Sequence, residues 1–262
     1  MTKKIFFLAG LPRSGSTVLG SILSQHPEIA VTPTSPLLDL LCYTNQAFNE
    51  VKQKYTYDEE VVSKNVYTGL IESFYKNQEK PIIFDKHRGW TRNITPIKAF
   101  ITDKPKIICT NRPISEVLAS YIKLINKTEK SNFVDDTLRQ KGLQLTLENR
   151  ATCLWNQYIN DPYNSMAFGL NEFRDCIHVV QYDDLISQPD QVMKNIYEFL
   201  EIESFNHDFK NIINHCAEDK DSAWGLDNLH TIRPVLEKTS TPPNEILGEY
   251  LTYYYNQFDF KL

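Results

Sequence analysis

The stretch "KKIFFLAGLPRSGSTVLGSILSQHP" (Lys3–Pro27) contains three successive patterns. Ile5–Ala9 is a short apolar run, which predicts a buried strand. Gly10–Thr17 follows as G-x-x-x-x-G-S-T. Two glycines at this spacing let the backbone turn tightly and aim its N–H groups inward. Val18, Ile22 and Leu23 then begin a helical pattern, whose N-terminal end adds positive potential at the turn. A strand, a glycine turn and a helix in this order form a cradle for an anion. The loop that serves ATP and GTP has a lysine where Ser16 stands here, and that lysine reaches the β- and γ-phosphates. Its absence argues against γ-phosphate chemistry. Arg13, inside the loop, supplies positive charge to a differently shaped anion, one phosphate bonded to another anionic group. Pro12, Arg13, Ser14, Gly15, Ser16 and Thr17 are the candidate cradle residues, with the hydroxyls as donors or helix caps.

Further apolar runs at Ile82–Phe84, Lys106–Cys109 and Ile177–Val180 predict three more strands. Helical patterns separate them, such as Val192, Ile196, Phe199 and Leu200. The alternation predicts an α/β fold in three layers, a central parallel sheet of about four to five strands flanked by helices. Residues 1–262 read as a single domain. Lys127–Gly142 is polar and reads as a loop or lid. Asp219–Pro243, with Trp224, Gly225, Pro234 and the Pro242-Pro243 pair, reads as a long functional loop before a last helix from Glu245 to Phe258.

A chain of 262 residues is long enough for a sizeable core. A net charge of -5 argues against a general nucleic-acid binder while leaving room for a local basic site. The five cysteines form no C-x-x-C pair, which predicts free thiols in a reduced, cytoplasmic setting. The run after Lys3 and Lys4 is too short and too soon broken by Pro12 and Arg13 to be a signal peptide. No stretch reaches the roughly 20 apolar residues of a spanning helix. The histidines show no metal-ligand spacing, so no metal is expected.

A second anion site follows the strand Lys106–Cys109, in "TNRPISEVLAS". Arg112 stands at the carboxyl end of the strand, where ligands of open α/β sheets bind. Ser115 is read as the N-cap of the next helix, with Ser120 further along it. Because helical side chains lean toward the N-terminus, Arg112 and Ser120 are expected to reach one phosphate. Two anion sites on one sheet imply a ligand with two separated phosphates, such as a nucleotide phosphorylated at both 5′ and 3′ positions.

With these motifs in place, the sequence resembles sulfotransferases that use 3′-phosphoadenosine 5′-phosphosulfate (PAPS) and release adenosine 3′,5′-bisphosphate (PAP). "GLPRSGST" resembles that family's 5′-phosphosulfate loop, closest to the protein-tyrosine type. "RPISEVLAS" resembles its 3′-phosphate motif, with Arg112 and Ser120 at the expected spacing. "VVQYDDLISQPDQVMKNIYEFLEI" is similar to its strand–Tyr–acid–acid–Leu segment, and "ATCLWNQYI" to its Trp-bearing helix, in which Trp155 is read as a core residue. The resemblance implies a P-loop-NTPase-like fold, Tyr182 near the adenine and Arg233 of "LHTIRPVL" as a phosphate contact. It runs from residue 4 to about residue 203.

Sulfuryl transfer asks the protein to align nucleophile, sulfur and leaving oxygen, to balance charge and to take a proton. In "IIFDKHRGW" the resemblance assigns Lys86 to the leaving oxygen beside Arg13. His87 is the candidate base, although it follows the lysine by one position where the cytosolic members have two. Adjacent residues on a strand point opposite ways, so Asp85 is a second candidate. The glutamate base of the protein-tyrosine and heparan types has no counterpart in "HPEIAVTPTSPLLDLL", where Thr32, Thr34 and Ser35 stand, and Glu28 reads as part of the helix end. Arg88 can hold an anionic acceptor. The expected function is transfer to a hydroxyl or amine of an acceptor, whether small molecule, glycan or peptide. The alternatives are a P-loop nucleotide kinase or NTPase, with Asp85 on magnesium, and a non-catalytic nucleotide binder.

Overall fold

The computed structural model describes residues 3–51, 54, 57–128, 131–216, 221, 225–237 and 241–262. Trp224 lies outside them. Five strands, β1 (Lys4–Gly10), β2 (Ile29–Thr34), β3 (Ile82–Lys86), β4 (Ile107–Asn111) and β5 (Ile177–Gln181), form one sheet. Its order is β2-β3-β1-β4-β5, and every pairing is parallel. The chain leaves the central β1, builds toward one edge, then crosses to the other. The crevice at the carboxyl ends of β3, β1 and β4 is therefore a topological switch point, the usual ligand position of such sheets.

Strand alternation sorts the core into two halves. Phe6, Leu8, Phe84, Ile108 and Val180 pack on one face, under α1 (Ser16–Leu23) and the helix Pro189–Leu200. Phe7, Ala9, Ile83, Ile107 and Cys109 pack on the other, against Trp90, α2 (Ile114–Lys127) and the helices Asn160–Glu172 and Pro243–Asn256. This is the three-layer α/β arrangement the alternation predicts. Each fully buried Phe or Leu contributes about 1.5–3 kcal/mol. The same parity runs to the strand ends, where Lys86 lies two residues beyond Phe84 and Thr110 two beyond Ile108, so both fall on the α1 face. Tyr182 opens the helix after β5, and its ring lies beside Gly15.

Four local readings need correction. β2 is a strand that periodicity does not announce, because Pro33 interrupts it. It is an edge strand with a register break between Val31 and Thr34, the setting in which a sheet tolerates proline. Glu28 follows the end of α1 and directly precedes β2. The polar stretch read as a lid contains a helix, Phe133–Gln140. Asn132 caps it, accepting from Val134 N (3.1 Å) and Asp135 N (3.0 Å), and Arg150 clamps Asp135 with two bonds of 2.8 and 2.9 Å. Ser115 is not an N-cap, since Pro113 holds that position and Ser115 is buried inside α2. Proline has no side-chain acceptor to offer the first turn, and the Ile114 N–H donates instead to Asp259 Oδ1 at 2.7 Å.

Candidate active site

The carboxyl ends of β1, β3 and β4 open into a cleft of about 850 Å³. Arg13, Gly15, Ser16, Thr17, Lys86, His87, Arg112, Ser120, Tyr182 and Arg233 all line it. Pro12 and Ser14 do not. Ser14 is fully buried, its hydroxyl donates to Leu11 O (2.5 Å), and it meets Thr110 Oγ1 at 2.6 Å. It pins the loop to β4, which leaves its backbone rather than its side chain for an anion.

The loop's shape depends on two glycines. Gly10 has φ 126, and a Cβ there would strike the Thr110 backbone. Gly15 has φ 92, and a Cβ would come 2.8 Å from Tyr182 Cδ2. Between them Arg13 adopts φ 58, a left-handed conformation that non-glycine residues rarely hold. The fold maintains it with three contacts. Arg13 Nε donates to Ser120 Oγ (3.2 Å), its Nη1 donates to Leu229 O, and its carbonyl accepts from Arg112 Nη1 at 3.2 Å. Burial pulls the Arg13 guanidinium below its ordinary value, and Arg112 and Arg88 add to this while Tyr121 and Tyr182 oppose it. An arginine remains charged under such a shift.

The two anion sites read from separate motifs therefore converge on Arg13. Arg112 stacks 4.2 Å over the Tyr182 ring and pairs with Glu116 at 2.9 Å. Ser120, inside the helix that follows Arg112, connects to it through Arg13, whose Nε meets Ser120 Oγ and whose carbonyl accepts from Arg112. Arg233 pairs with Glu237 at 3.3 Å and is half exposed at the rim.

Lys86 and its neighbours diverge as strand geometry demands. Lys86 Nζ extends to Thr17 Oγ1 (3.3 Å), at the start of α1, and to Cys216 Sγ (3.8 Å). Asp85 points into the other core, fully buried, accepting from Trp90 Nε1 (2.7 Å) and the Tyr75 hydroxyl. Burial raises its pKa, partly countered by hydrogen bonds from Ser35, Tyr75 and Trp90. It is sealed from the cleft, which removes it both as a base and as a magnesium ligand at the loop. His87 does share the cleft with Lys86, because the chain turns at that residue. Its Nδ1 accepts from Gly89 N at 3.0 Å and its Nε2 lies 3.6 Å from Asp39. A neutral His87 thus carries its proton on Nε2, facing a carboxylate.

Sequence reasoning passed over a group from the C-terminal segment. His215 Nδ1 meets Ser21 Oγ at 2.9 Å, and its Nε2 meets Cys216 Sγ at 2.9 Å. Burial, then the Lys86 charge, lowers the His215 pKa to about 4. Asn214 Nδ2 donates to His230 O at 3.0 Å. These contacts join residues far apart in the chain, and no local spacing signals them. Among the described residues no cluster of three or more His, Cys, Asp or Glu could hold a metal ion.

Fold and site together define an α/β protein with a lysine-less phosphate loop, a strand-end lysine and a second arginine site. The model of the sulfotransferase family matches residues 6–207, and the chain belongs to that family. It is 21% identical over 224 residues to protein-tyrosine sulfotransferase A of Caenorhabditis elegans, covering 77% of this chain and 50% of that one. It is 23% identical over 203 residues to protein-tyrosine sulfotransferase 2 of Gallus gallus, covering 76% and 51%. The chain thus spans about half the length of these curated relatives. Among solved structures, the sulfotransferase domain of the Synechococcus PCC 7002 olefin synthase superposes with TM-score 0.52 at 19% identity, covering 96% of each chain. A sulfotransferase from Alicyclobacillus acidocaldarius gives 0.52 at 15% identity, covering 98% of this chain and 93% of that one. These likenesses establish the P-loop-like fold that the family resemblance implies.

Proposed function

We propose that the chain transfers a sulfuryl group from PAPS to a hydroxyl or amine of an acceptor by in-line displacement. The observation that carries this reading is Lys86 Nζ at 3.3 Å from Thr17 Oγ1, in the mouth of a loop that holds Arg13 and abuts Arg112. The residues fit the donor. Loop N–H groups and Arg13 suit its phosphosulfate, Arg112 with Ser120 suits its 3′-phosphate, and the Tyr182 face suits its adenine. Arg233 at the rim suits a phosphate contact.

In the step, the acceptor oxygen or nitrogen attacks sulfur and the S–O bond to the 5′-phosphate breaks. The electron pair leaves on the phosphate oxygen as PAP forms, and the acceptor loses its proton. Lys86 and Arg13 hold positive charge where the leaving oxygen gains negative charge. His87, an N-cap bound to Gly89 and facing Asp39, shapes the acceptor side, with Arg88 available to an anionic acceptor. The step uses no metal. Free thiols at all five cysteines suit a cytoplasmic setting, and among the described residues no helix is long and apolar enough to cross a membrane.

The test incubates wild type and Lys86→Ala with sulfur-35-labelled PAPS and pooled phenols, alcohols, amines and tyrosine peptides. Labelled product from wild type, lost in Lys86→Ala, is the expected result. No PAPS consumption with any pool contradicts the reading.

A further inference from the structure

The cleft holds a carboxylate and an imidazole at a short, fixed separation. Asp39 Oδ1 lies 3.6 Å from His87 Nε2, and both residues line the cleft with Lys86. That separation is longer than a direct hydrogen bond, and one oxygen at about 2.7–2.9 Å from each atom closes it. The side chains of Asp39 and His87 are 60% and 22% exposed, so the gap is open to an incoming group.

The pair is positioned by the strand end that carries Lys86. Lys86 N donates to Thr32 Oγ1 at 2.9 Å, and Lys86 O accepts from Ser35 N at 2.8 Å. The Ser35 hydroxyl accepts from Leu37 N at 3.1 Å, at the start of the helix Leu37–Val51, whose first turn carries Asp39. On the other side, His87 N donates to Leu8 O in β1 at 3.0 Å. Gly89 packs so near Leu38 that a Cβ would come 2.8 Å from Leu38 Cδ2. Asp39 and His87 are therefore tied to each other and to the backbone of Lys86.

The two groups make different offers. Gly89 N donates to His87 Nδ1 at 3.0 Å, so neutral His87 presents an N–H at Nε2. The Asp39 carboxylate only accepts. A hydroxyl suits both. It donates its O–H to Asp39, accepts from His87 with one lone pair and keeps a second for sulfur. A neutral amine has a single lone pair, and accepting from His87 leaves none to attack with.

We infer that Asp39 and His87 select a hydroxyl over an amine as the acceptor, with Asp39 as the group that takes its proton, an assignment that rests on the sulfotransferase reading above. As the acceptor oxygen attacks, its proton passes to the Asp39 carboxylate and the new O–S bond forms. The S–O bond to the 5′-phosphate breaks with its electron pair on that oxygen. His87 keeps its Nε2 proton throughout and holds the acceptor oxygen in place.

The experiment offers sulfur-35-labelled PAPS with a pool of alcohols and phenols, or with a pool of the amines of the same carbon skeletons. PAP affinity is measured in parallel by calorimetry. Wild type should label the hydroxyl pool faster than the amine pool by about 10–100-fold, since an amine leaves the His87 donor unpaired. His87→Ala should narrow this preference. Asp39→Asn should lower transfer to alcohols by about 10²–10⁴-fold, and least to a nitrophenol, whose proton leaves readily, with PAP affinity within about threefold of wild type. Amines labelled as fast as alcohols, or an unchanged rate in Asp39→Asn, overturns the inference and leaves the sulfotransferase reading standing. So does loss of PAP affinity in step with the rate, which makes Asp39 a structural residue. Wild type that binds no PAP, or labels neither pool, overturns the sulfotransferase reading and this inference with it.

Discussion

The two walls of the cleft are built in different ways. One wall consists of the strand ends with their loops, Gly10–Thr17, Lys86–Gly89 and Arg112–Ser120, each a short motif fixed by its own strand. The other is the C-terminal segment from Asn214 to Glu237, which lies beyond the residues the family model matches. It has no strand of its own among its described residues and is held by contacts across the chain. Arg13 and Leu229 are 216 positions apart, Ser21 and His215 are 194 apart, and Lys86 and Cys216 are 130 apart. The first wall supplies the cations Arg13, Lys86 and Arg112. The second adds His230 and Arg233 to the same cleft. The lesson is that a site whose cations sit in short local motifs can be completed by a segment that only contacts across the chain position.

The sharpest separation of the two walls comes from Lys86. Replacing Lys86 with Ala should cut PAPS turnover by about 10²–10³-fold, the usual cost of removing one charge-stabilising donor. Turnover within a few-fold of wild type would place the leaving-group cation elsewhere.

Arg112→Ala should weaken PAP binding by about 10–100-fold, as expected for lost charge-assisted hydrogen bonds. Arg112→Lys should recover little, because an ammonium cannot stack on Tyr182 and bond Arg13 O with the same planar geometry. Calorimetry with PAP reads both. Equal affinity in all three proteins would detach Arg112 from the nucleotide.

Gly15→Ala probes the first wall without touching a charge. The new Cβ meets Tyr182 at 2.8 Å, and φ 92 strains any L-residue. It should cost about 1–3 kcal/mol of stability and displace the Tyr182 ring. Denaturant unfolding should show the loss, and an unchanged midpoint would mean the loop is not held as described.

Two buried histidines, His215 in the second wall and His207 just before it, carry an acid weakness. Burial lowers both to about 4. The unfolded chain binds these protons near pH 6.5, so the unfolded state holds more protons between about 6.5 and 4. Stability is therefore full above this window and falls as pH drops through it. The slope approaches about 1.4 kcal/mol per pH unit for each histidine. His215→Gln should make the fall shallower by about half. A slope unchanged in that variant would show that His215 is not held neutral.

The same contrast explains what the sequence revealed. The apolar runs and the glycine loop announce the sheet, Arg13 and Arg112, because each lies within a few residues of the pattern that identifies it, and the family resemblance adds Lys86. β2 stays hidden, since Pro33 breaks the pattern and only pairing with β3 makes it a strand. The direction of His87 is hidden as well, for it depends on a turn that begins at that residue. His230 stands near the recognised Arg233, yet its partners Asp221 and Asn214 are gathered only by tertiary packing.

The central claim is that the strand-end wall binds a nucleotide with a 3′-phosphate and without a γ-phosphate. Calorimetry of PAP against ATP, without magnesium, tests it most directly in wild type and Arg112→Ala. The account predicts tight PAP binding that Arg112→Ala weakens, and weak ATP binding. Preference for ATP, or binding of neither, would contradict it.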